Sequence, residues 1–263
     1  MSETFLEKIV AKTHENVERQ KLGADLDALK SKAIEARGYA KPRRLRTALS
    51  REGDINIIAE IKRASPSKGV INADVDVAAL AKQYENGGAA AISVLTESEY
   101  FRGSLDDLLS ARSAVDLPIL RKDFTVDEFQ IYEAAGAGAD AILLIVAALT
   151  EAELRRFLRL AQDELGMDAL VEVHDREELD AAVKIGADII GVNNRNLHSL
   201  EVSLDVSRVL IGDRPADALM VAESGISTRN EIAELKGLGF DGFLIGETLM
   251  RTADAAETLG AWI

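Results

Sequence analysis

After residue 55 one unit recurs along this chain: a polar, amphipathic stretch of helix length, a glycine, and then an apolar run. The instances are Gly87-Gly88-Ala89-Ala90-Ala91-Ile92-Ser93-Val94-Leu95, Gly138-Ala139-Asp140-Ala141-Ile142-Leu143-Leu144-Ile145-Val146, Gly186-Ala187-Asp188-Ile189-Ile190-Gly191-Val192 and Gly239-Phe240-Asp241-Gly242-Phe243-Leu244-Ile245. Glycine supplies the helix-ending conformation that side chains resist. Four further apolar runs, Ile55 to Lys62, Pro118 to Lys122, Asp168 to Val173 and Ala218 to Glu223, lie between these units. Continuous apolar strands separated by helix-sized gaps of roughly 20 to 30 residues predict a parallel sheet. Eight of them favour an α/β fold of the closed (β/α)8 TIM-barrel type over an open doubly wound sheet. No G-x-G-x-x-G follows the first run, which weighs against dinucleotide binding.

A length of 263 residues suits one such barrel, so a single domain over residues 1–263 is expected. Its core must be aliphatic, because hydrophobic residues make up 47% of the chain and aromatic ones only 5%. Before the first strand, residues 2 to 37 read as amphipathic helix, with Phe5, Ile9, Leu22, Leu26 and Leu29 at helical spacing. Gly38 and Pro42 then break the pattern. Residues 1 to about 45 thus form an N-terminal helical extension packed on the main domain.

The absence of cysteine excludes disulfides, thiolate metal sites and cysteine nucleophiles. A net charge of −14 argues against nucleic acid or an anionic membrane as partner, yet leaves room for a local basic cleft that binds a small anion. The opening residues lack a signal-peptide pattern. The longest apolar run, Ala141 to Leu149, is far short of the roughly 20 residues that span a bilayer. A soluble, cytoplasmic protein is the consistent expectation, and a monomer is taken as its state.

In such barrels chemistry sits where strands end and loops begin. The run Ile57-Ile58-Ala59-Glu60-Ile61-Lys62 turns abruptly from apolar to charged, and side-chain alternation puts Glu60 and Lys62 on the face of Ile58. A carboxylate and an ammonium there are costly unless paired or used. The same reading at the other strand ends gives Ser93 and Thr96, then Lys122 with Asp123, Glu172, Asn193-Asn194-Arg195, Glu223-Ser224-Gly225 and Gly246-Glu247. Lys122 shares a face with Leu120, Glu172 with Leu170, and Glu223 with Val221. Partial burial between Val171 and Val173 is expected to raise the pKa of Glu172 toward that of a general base. Arg195 suits fork-like recognition of a carboxylate or phosphate, Asn193 can orient an anion, and Asn194 reads as a turn residue. Glycine-containing turns after the last two strands suit a phosphate cradle, which Ser65, Ser67 and Lys68 of the first loop could also reach. His14, His174 and His198 are too scattered to ligate a metal, and each reads as a structural or surface residue. No metal or cofactor is expected. This inventory leaves open acid–base catalysis, a Schiff-base aldolase using Lys122 or Lys62, a phosphosugar isomerase, or a module that only binds phosphate.

The segments Ala59-Glu60-Ile61-Lys62-Arg63-Ala64-Ser65-Pro66-Ser67-Lys68-Gly69, Ile92 to Glu97 with Tyr100 to Gly103, Leu120-Arg121-Lys122-Asp123-Phe124, Leu143 to Val146, Gly191 to Leu197, Val221 to Ile226 and Phe243 to Gly246 resemble the indole-3-glycerol-phosphate synthase family, in order and over the whole length. The resemblance implies a carbon–carbon lyase of tryptophan biosynthesis. Such an enzyme closes the ring of 1-(2-carboxyphenylamino)-1-deoxyribulose 5-phosphate with loss of CO2 and water. It implies Lys122 as general acid and Glu172 as general base. Lys62 would sit on the phosphate or carboxylate and share acid duty, while Glu60 and Asn193 orient the substrate and the lysines. Arg195 and Ser65 would hold the anthranilate carboxylate side, and Phe101, Phe124 and Leu197 would line the aromatic pocket. Glu223 would also face the substrate. Ser224, Gly225, Gly246 and Glu247 would bind phosphate, Glu247 through its backbone N–H because a carboxylate cannot donate.

Overall fold

The computed structural model describes residues 4–51, 53–197 and 199–263. Eight parallel strands, β1 (Asn56–Ile61), β2 (Ala91–Leu95), β3 (Ile119–Lys122), β4 (Ala141–Ile145), β5 (Asp168–Val173), β6 (Ile189–Asn193), β7 (Leu219–Glu223) and β8 (Gly242–Ile245), close into a barrel in chain order. Closure comes from β1, which pairs with β2 (Ile58 beside Ala91) and with β8 (Asn56 beside Gly242). The fold expected from the repeated units is the one observed. In those units Gly88, Gly138, Gly186 and Gly239 have φ of 88°, 85°, 82° and 115°, the left-handed region that lets each helix end and the next strand begin.

Strand alternation divides the core in two. Ile58, Leu120, Leu143, Leu170, Val221 and Leu244 meet inside the barrel. Ile57, Ile92, Ile119, Leu144, Val171 and Phe243 pack outward against Tyr84, Leu108, Phe157 and Ile232 of the surrounding helices. Both faces are therefore apolar, which is why the runs read as continuous rather than alternating.

The segment before β1 forms three helices: α1 (Phe5–Gly23), α2 (Leu26–Gly38) and α3 (Arg44–Leu49). A single apolar stripe through Leu22 and Leu26 is not what forms, since both side chains are exposed. Helix α1 stops at Gly23, Ala24 is extended, and Asp25 caps α2 by accepting from the N–H groups of Asp27 and Ala28. That break resets the helical phase, so α1 buries Leu6, Ile9 and Val17 while α2 buries Ala33 and Arg37.

Helix α3 stops the N-terminal end of the barrel with Leu45 and Leu49, which join the interior cluster. Charge surrounds this plug. Asp140, just ahead of β4, lies 3.4 Å from Arg37, 3.1 Å from Arg44 and 3.0 Å from Arg112, and accepts the backbone N–H of Ile119 at 3.1 Å. At the opposite end Phe5 of α1 packs edge-on to Tyr100, with ring centroids 5.2 Å apart. Both extremities of the barrel are thus covered by the same stretch of chain. No helix among the described residues is long and apolar enough to cross a membrane.

Candidate active site

A cavity of about 1000 Å³ opens at the C-terminal ends of the strands. All fifteen residues to which the resemblance assigns a role line it: Glu60, Lys62 and Ser65; Phe101, Lys122 and Phe124; Glu172, Asn193, Arg195 and Leu197; Glu223, Ser224, Gly225, Gly246 and Glu247. Ser93, Thr96 and Asn194, also read at strand ends, do not line it. Parity explains the convergence, because Glu60, Lys122, Glu172 and Glu223 each stand two residues beyond an interior apolar side chain.

Lys122 is the hub. Its Nζ lies 3.4 Å from Glu172 Oε2 and 3.3 Å from Glu223 Oε2. Lys62 donates to Glu60 Oε1 at 2.6 Å. Asn193 Nδ2 donates to Glu172 Oε1 at 3.0 Å, while its own Oδ1 accepts the Arg195 N–H at 3.0 Å. Burial opposes charge on Lys122, Glu60, Glu172 and Glu223, yet neighbours override it for the first three. Despite burial, Glu223, Glu172 and Glu60 hold the Lys122 ammonium well above its ordinary range. Lys62 and then Lys122 hold Glu60 below its ordinary value.

The expected rise at Glu172 does not occur. Burial pushes it up, but Lys122, His174 and Asn193 together bring it well below the usual carboxylate range. Glu223 is the carboxyl that rises, pushed by burial to about 8 with only partial relief from Lys122, and neither of its oxygens accepts a hydrogen bond. At neutral pH the site therefore combines a charged lysine, the two ionised carboxylates of Glu60 and Glu172 and, at Glu223, a carboxyl that retains its proton.

Two glycines make room for these acids. A Cβ on Gly191 of β6 would collide with Glu223 Oε1, and one on Gly246 would collide with Glu60 Oε1. After β7 the chain turns through left-handed Ser224 (φ 66°) and Gly225 (φ 80°), and a Cβ on Gly225 would meet Val202 at 2.6 Å. Asn194 is more than a turn residue: its Nδ2 donates to the carbonyls of Glu223 and Ser224, and its Oδ1 accepts the Ser207 N–H. It braces that turn from outside the cavity.

The loop after β1 arches over the opening. Its base is clamped by Arg63, which forks onto Asp107 at 2.7 and 3.2 Å and donates to the Ala73 carbonyl at 2.6 Å. Ala64–Ser65 and Gly69–Val70 form a small hairpin whose tip places Ser67 Oγ 3.1 Å from Arg195 and Lys68 Nζ 3.8 Å from Glu247.

His174, expected to be structural or at the surface, is half-buried with its Nε2 3.4 Å from Glu172 Oε1. Gly191 was also missed as a functional position. The i, i+2 spacing of Glu172 and His174 carried the signal for the former; nothing local carried it for Gly191, whose constraint comes from the adjacent strand. His198 lies outside the described residues. Among the described residues no group of three or more His, Asp or Glu gathers to hold a metal.

A closed (β/α)8 barrel with lysine and carboxyl groups converging at the C-terminal ends of its strands defines the architecture of the barrel-enzyme class, with groups suited to acid–base chemistry. The family model described as indole-3-glycerol phosphate synthase matches residues 6–261, and the chain belongs to that family, one of carboxy-lyases in tryptophan biosynthesis. Proteins named indole-3-glycerol phosphate synthase from Lachnoclostridium phytofermentans and Koribacter versatilis are 47% identical over 260 residues and 49% identical over 244 residues. The first alignment covers 95% of each chain, and the second 92% of this chain and 94% of the relative. A solved structure of thiamine phosphate pyrophosphorylase from Pyrococcus furiosus matches with a TM-score of 0.60 at 18% identity, covering 83% of this chain and 95% of that one, a likeness of fold alone.

Proposed function

We propose that the cavity converts 1-(2-carboxyphenylamino)-1-deoxyribulose 5-phosphate to indole-3-glycerol phosphate, with Lys122 as general acid and Glu172 as general base. The observation that carries this reading is the Lys122 ammonium poised 3.4 Å from Glu172 inside the barrel mouth. The ring carbon bearing the carboxylate attacks the ribulose carbonyl while Lys122 protonates the developing alkoxide. CO2 leaves and returns its bonding pair to the ring. Lys122 takes a new proton from solvent, the new hydroxyl then departs as water on that proton, with Lys62 sharing that duty, and Glu172 removes the last proton. A protonated Glu223 beside Lys122 limits the negative charge of the site, which favours a substrate carrying both carboxylate and phosphate.

The remaining groups hold the two ends. Arg195 and Ser65 face the carboxylate, and Phe101, Phe124 and Leu197 flank the aromatic ring. Lys62, with the turns at Ser224-Gly225 and Gly246-Glu247, takes the phosphate, Glu247 contributing its backbone N–H. Glu60 positions Lys62 through the 2.6 Å contact, and Asn193 positions Glu172. In this reading no metal or cofactor takes part. The enzyme is cytoplasmic and monomeric, one domain whose extension over residues 1 to about 45 covers both ends of the barrel.

A lysine held protonated by carboxylates suits proton donation and not Schiff-base attack, which needs the free amine. Mixing the protein with the substrate in the presence of EDTA is expected to give a growing indole fluorescence. Lys122→Ala is expected to lower kcat roughly 10²- to 10⁴-fold with a far smaller change in KM. A flat trace from folded wild-type protein, or an intact rate in the variant, would overturn the assignment. Borohydride trapping of a covalent adduct would move the reading to the aldolase.

A further inference from the structure

Glu172 has a second cation at its back. His174 stands two residues beyond it, on the same face of the strand end, with Nε2 3.4 Å from Glu172 Oε1. The ring does not line the cavity, and Nε2 makes no hydrogen bond, so its relation to Glu172 is ionic. Glu178 fixes the ring from the other side. Its Oε2 lies 3.0 Å from His174 Nδ1 and also accepts the His174 backbone N–H at 2.8 Å. Glu178 is itself anchored in the first turn of the helix Arg176–Lys184, where its N–H donates to the capping Asp175 at 2.9 Å.

We propose that His174 is a positioning residue for Glu172: with Asn193 it holds Oε1 from behind and leaves Oε2 as the one oxygen facing Lys122 and the reacting atoms. The inference rests on the reading of Glu172 as general base. The same arrangement of a base oriented by a third group recurs wherever a side chain must move a proton in a fixed direction.

Every charged neighbour supports that division of labour. Lys122 approaches Glu172 from β3 and touches Oε2, while Asn193 approaches from β6 and touches Oε1. Glu60 on β1 and Glu223 on β7 face the same interior, where Glu172 and Glu60 both oppose ionisation of Glu223. His174 is faced by Glu172 and by Glu178 from the following helix. Burial disfavours charge on the imidazole, but the close contact with the Glu172 carboxylate and the bond to Glu178 push its pKa up to about 10, so it is a cation throughout the working range. Its charge offsets the carboxyl neighbours and keeps Glu172 ionised, and its fixed ring keeps the carboxylate from rotating. A base whose free oxygen is aimed only at Lys122 accepts a proton from one direction.

The test compares rate against pH, from about 3 to 9, for His174→Ala, His174→Gln and Glu178→Gln in the indole fluorescence assay. Removing a cation raises the pKa of the carboxylate it faced. The acid limb of kcat in the wild type lies beneath this window, because Glu172 is held well under the usual carboxylate range. In His174→Ala it is therefore expected to rise into the window. Loss of orientation is expected to lower kcat at the optimum roughly tenfold to a hundredfold, with KM nearly unchanged. His174→Gln, which retains a donor but no charge, should regain much of the lost kcat while keeping the displaced limb. Glu178→Gln should displace the limb the same way by less, and it decides the matter if the alanine variant does not fold. An acid limb that stays in place, or a loss confined to KM, overturns the proposal. Glu172→Gln separates the two levels: if that variant keeps its rate, the base assignment has failed. If it loses its rate while His174→Ala keeps its limb, only the positioning role has.

Discussion

Asp140→Ala is the sharpest test of how the two ends of this barrel divide their work. The carboxylate is 2% exposed and serves three guanidinium groups together with the Ile119 N–H. Its removal leaves those cations without their shared counter-charge, but not without partners. Arg37 still donates to the carbonyls of Leu165 at 3.0 Å and Ala139 at 3.1 Å, and Arg112 to that of Leu117 at 3.0 Å. The cost is therefore that of breaking one buried ion pair, about 3 to 5 kcal/mol, and not three times that figure. At 2 to 4 °C per kcal/mol for a chain near this size, the melting midpoint should fall by roughly 10 °C. Asp140→Asn keeps one acceptor for the Ile119 N–H and should lose about half as much. Calorimetry gives the midpoint, and the indole assay gives kcat per folded molecule at 25 °C, which should be unchanged because Asp140 lies at the end of the barrel remote from the cavity. A loss under about 1 kcal/mol would refute the network argument. A large fall in kcat with the fold intact would refute the division between the two ends.

Two further outcomes follow from groups in the cavity itself. Gly191→Ala drives a methyl group into the Glu223 carboxyl, so a loss of about 1 to 3 kcal/mol together with reduced kcat is expected, and wild-type values for both would show that Glu223 has another place to go. Glu223 titrates from 4.5 when unfolded to about 8 when folded, so the folded protein holds a proton that the unfolded chain releases. Its contribution to stability is complete below pH 4.5 and is lost as pH rises toward 8. Glu223→Gln should thus gain stability relative to wild type on going from pH 5 to pH 8, as read from denaturant midpoints; a constant difference would show that the carboxyl is ionised throughout.

The barrel was legible because its signals are local and repeated. Glycine at each helix end and an apolar run after it are properties of neighbouring residues, and Gly88, Gly138, Gly186 and Gly239 do what their positions implied. The cavity lining was legible for a related reason: strand parity alone aims Glu60, Lys122, Glu172 and Glu223 inward. What escaped depends on groups far apart in the chain. The ionisation of Glu172 reflects Lys122 from β3 and Asn193 from β6, so reasoning from its own valine neighbours gave the wrong sign. The requirement for Gly191 is set by a side chain on β7, and the role of Asp140 by three arginines from α2, α3 and the helix Leu105–Ala114. In the N-terminal extension, apolar spacing suggested one continuous face, but the cap at Asp25 restarts the helix and turns Leu22 and Leu26 to water.

The closing pair of strands also sets a timetable for synthesis. β1 is among the first barrel segments to leave the ribosome, yet the residue that Asn56 pairs with, Gly242, is among the last. At ~5–20 residues per second, that edge stays bare for roughly 10 to 40 s after it emerges. Partial barrels form in the meantime with two open margins, each offering a row of unsatisfied N–H and C=O groups to any passing strand. The seam between β1 and β8 is therefore the place where a nascent chain is most exposed to mispairing, and the hydrogen bonds that seal it arrive only when nearly everything else is in place.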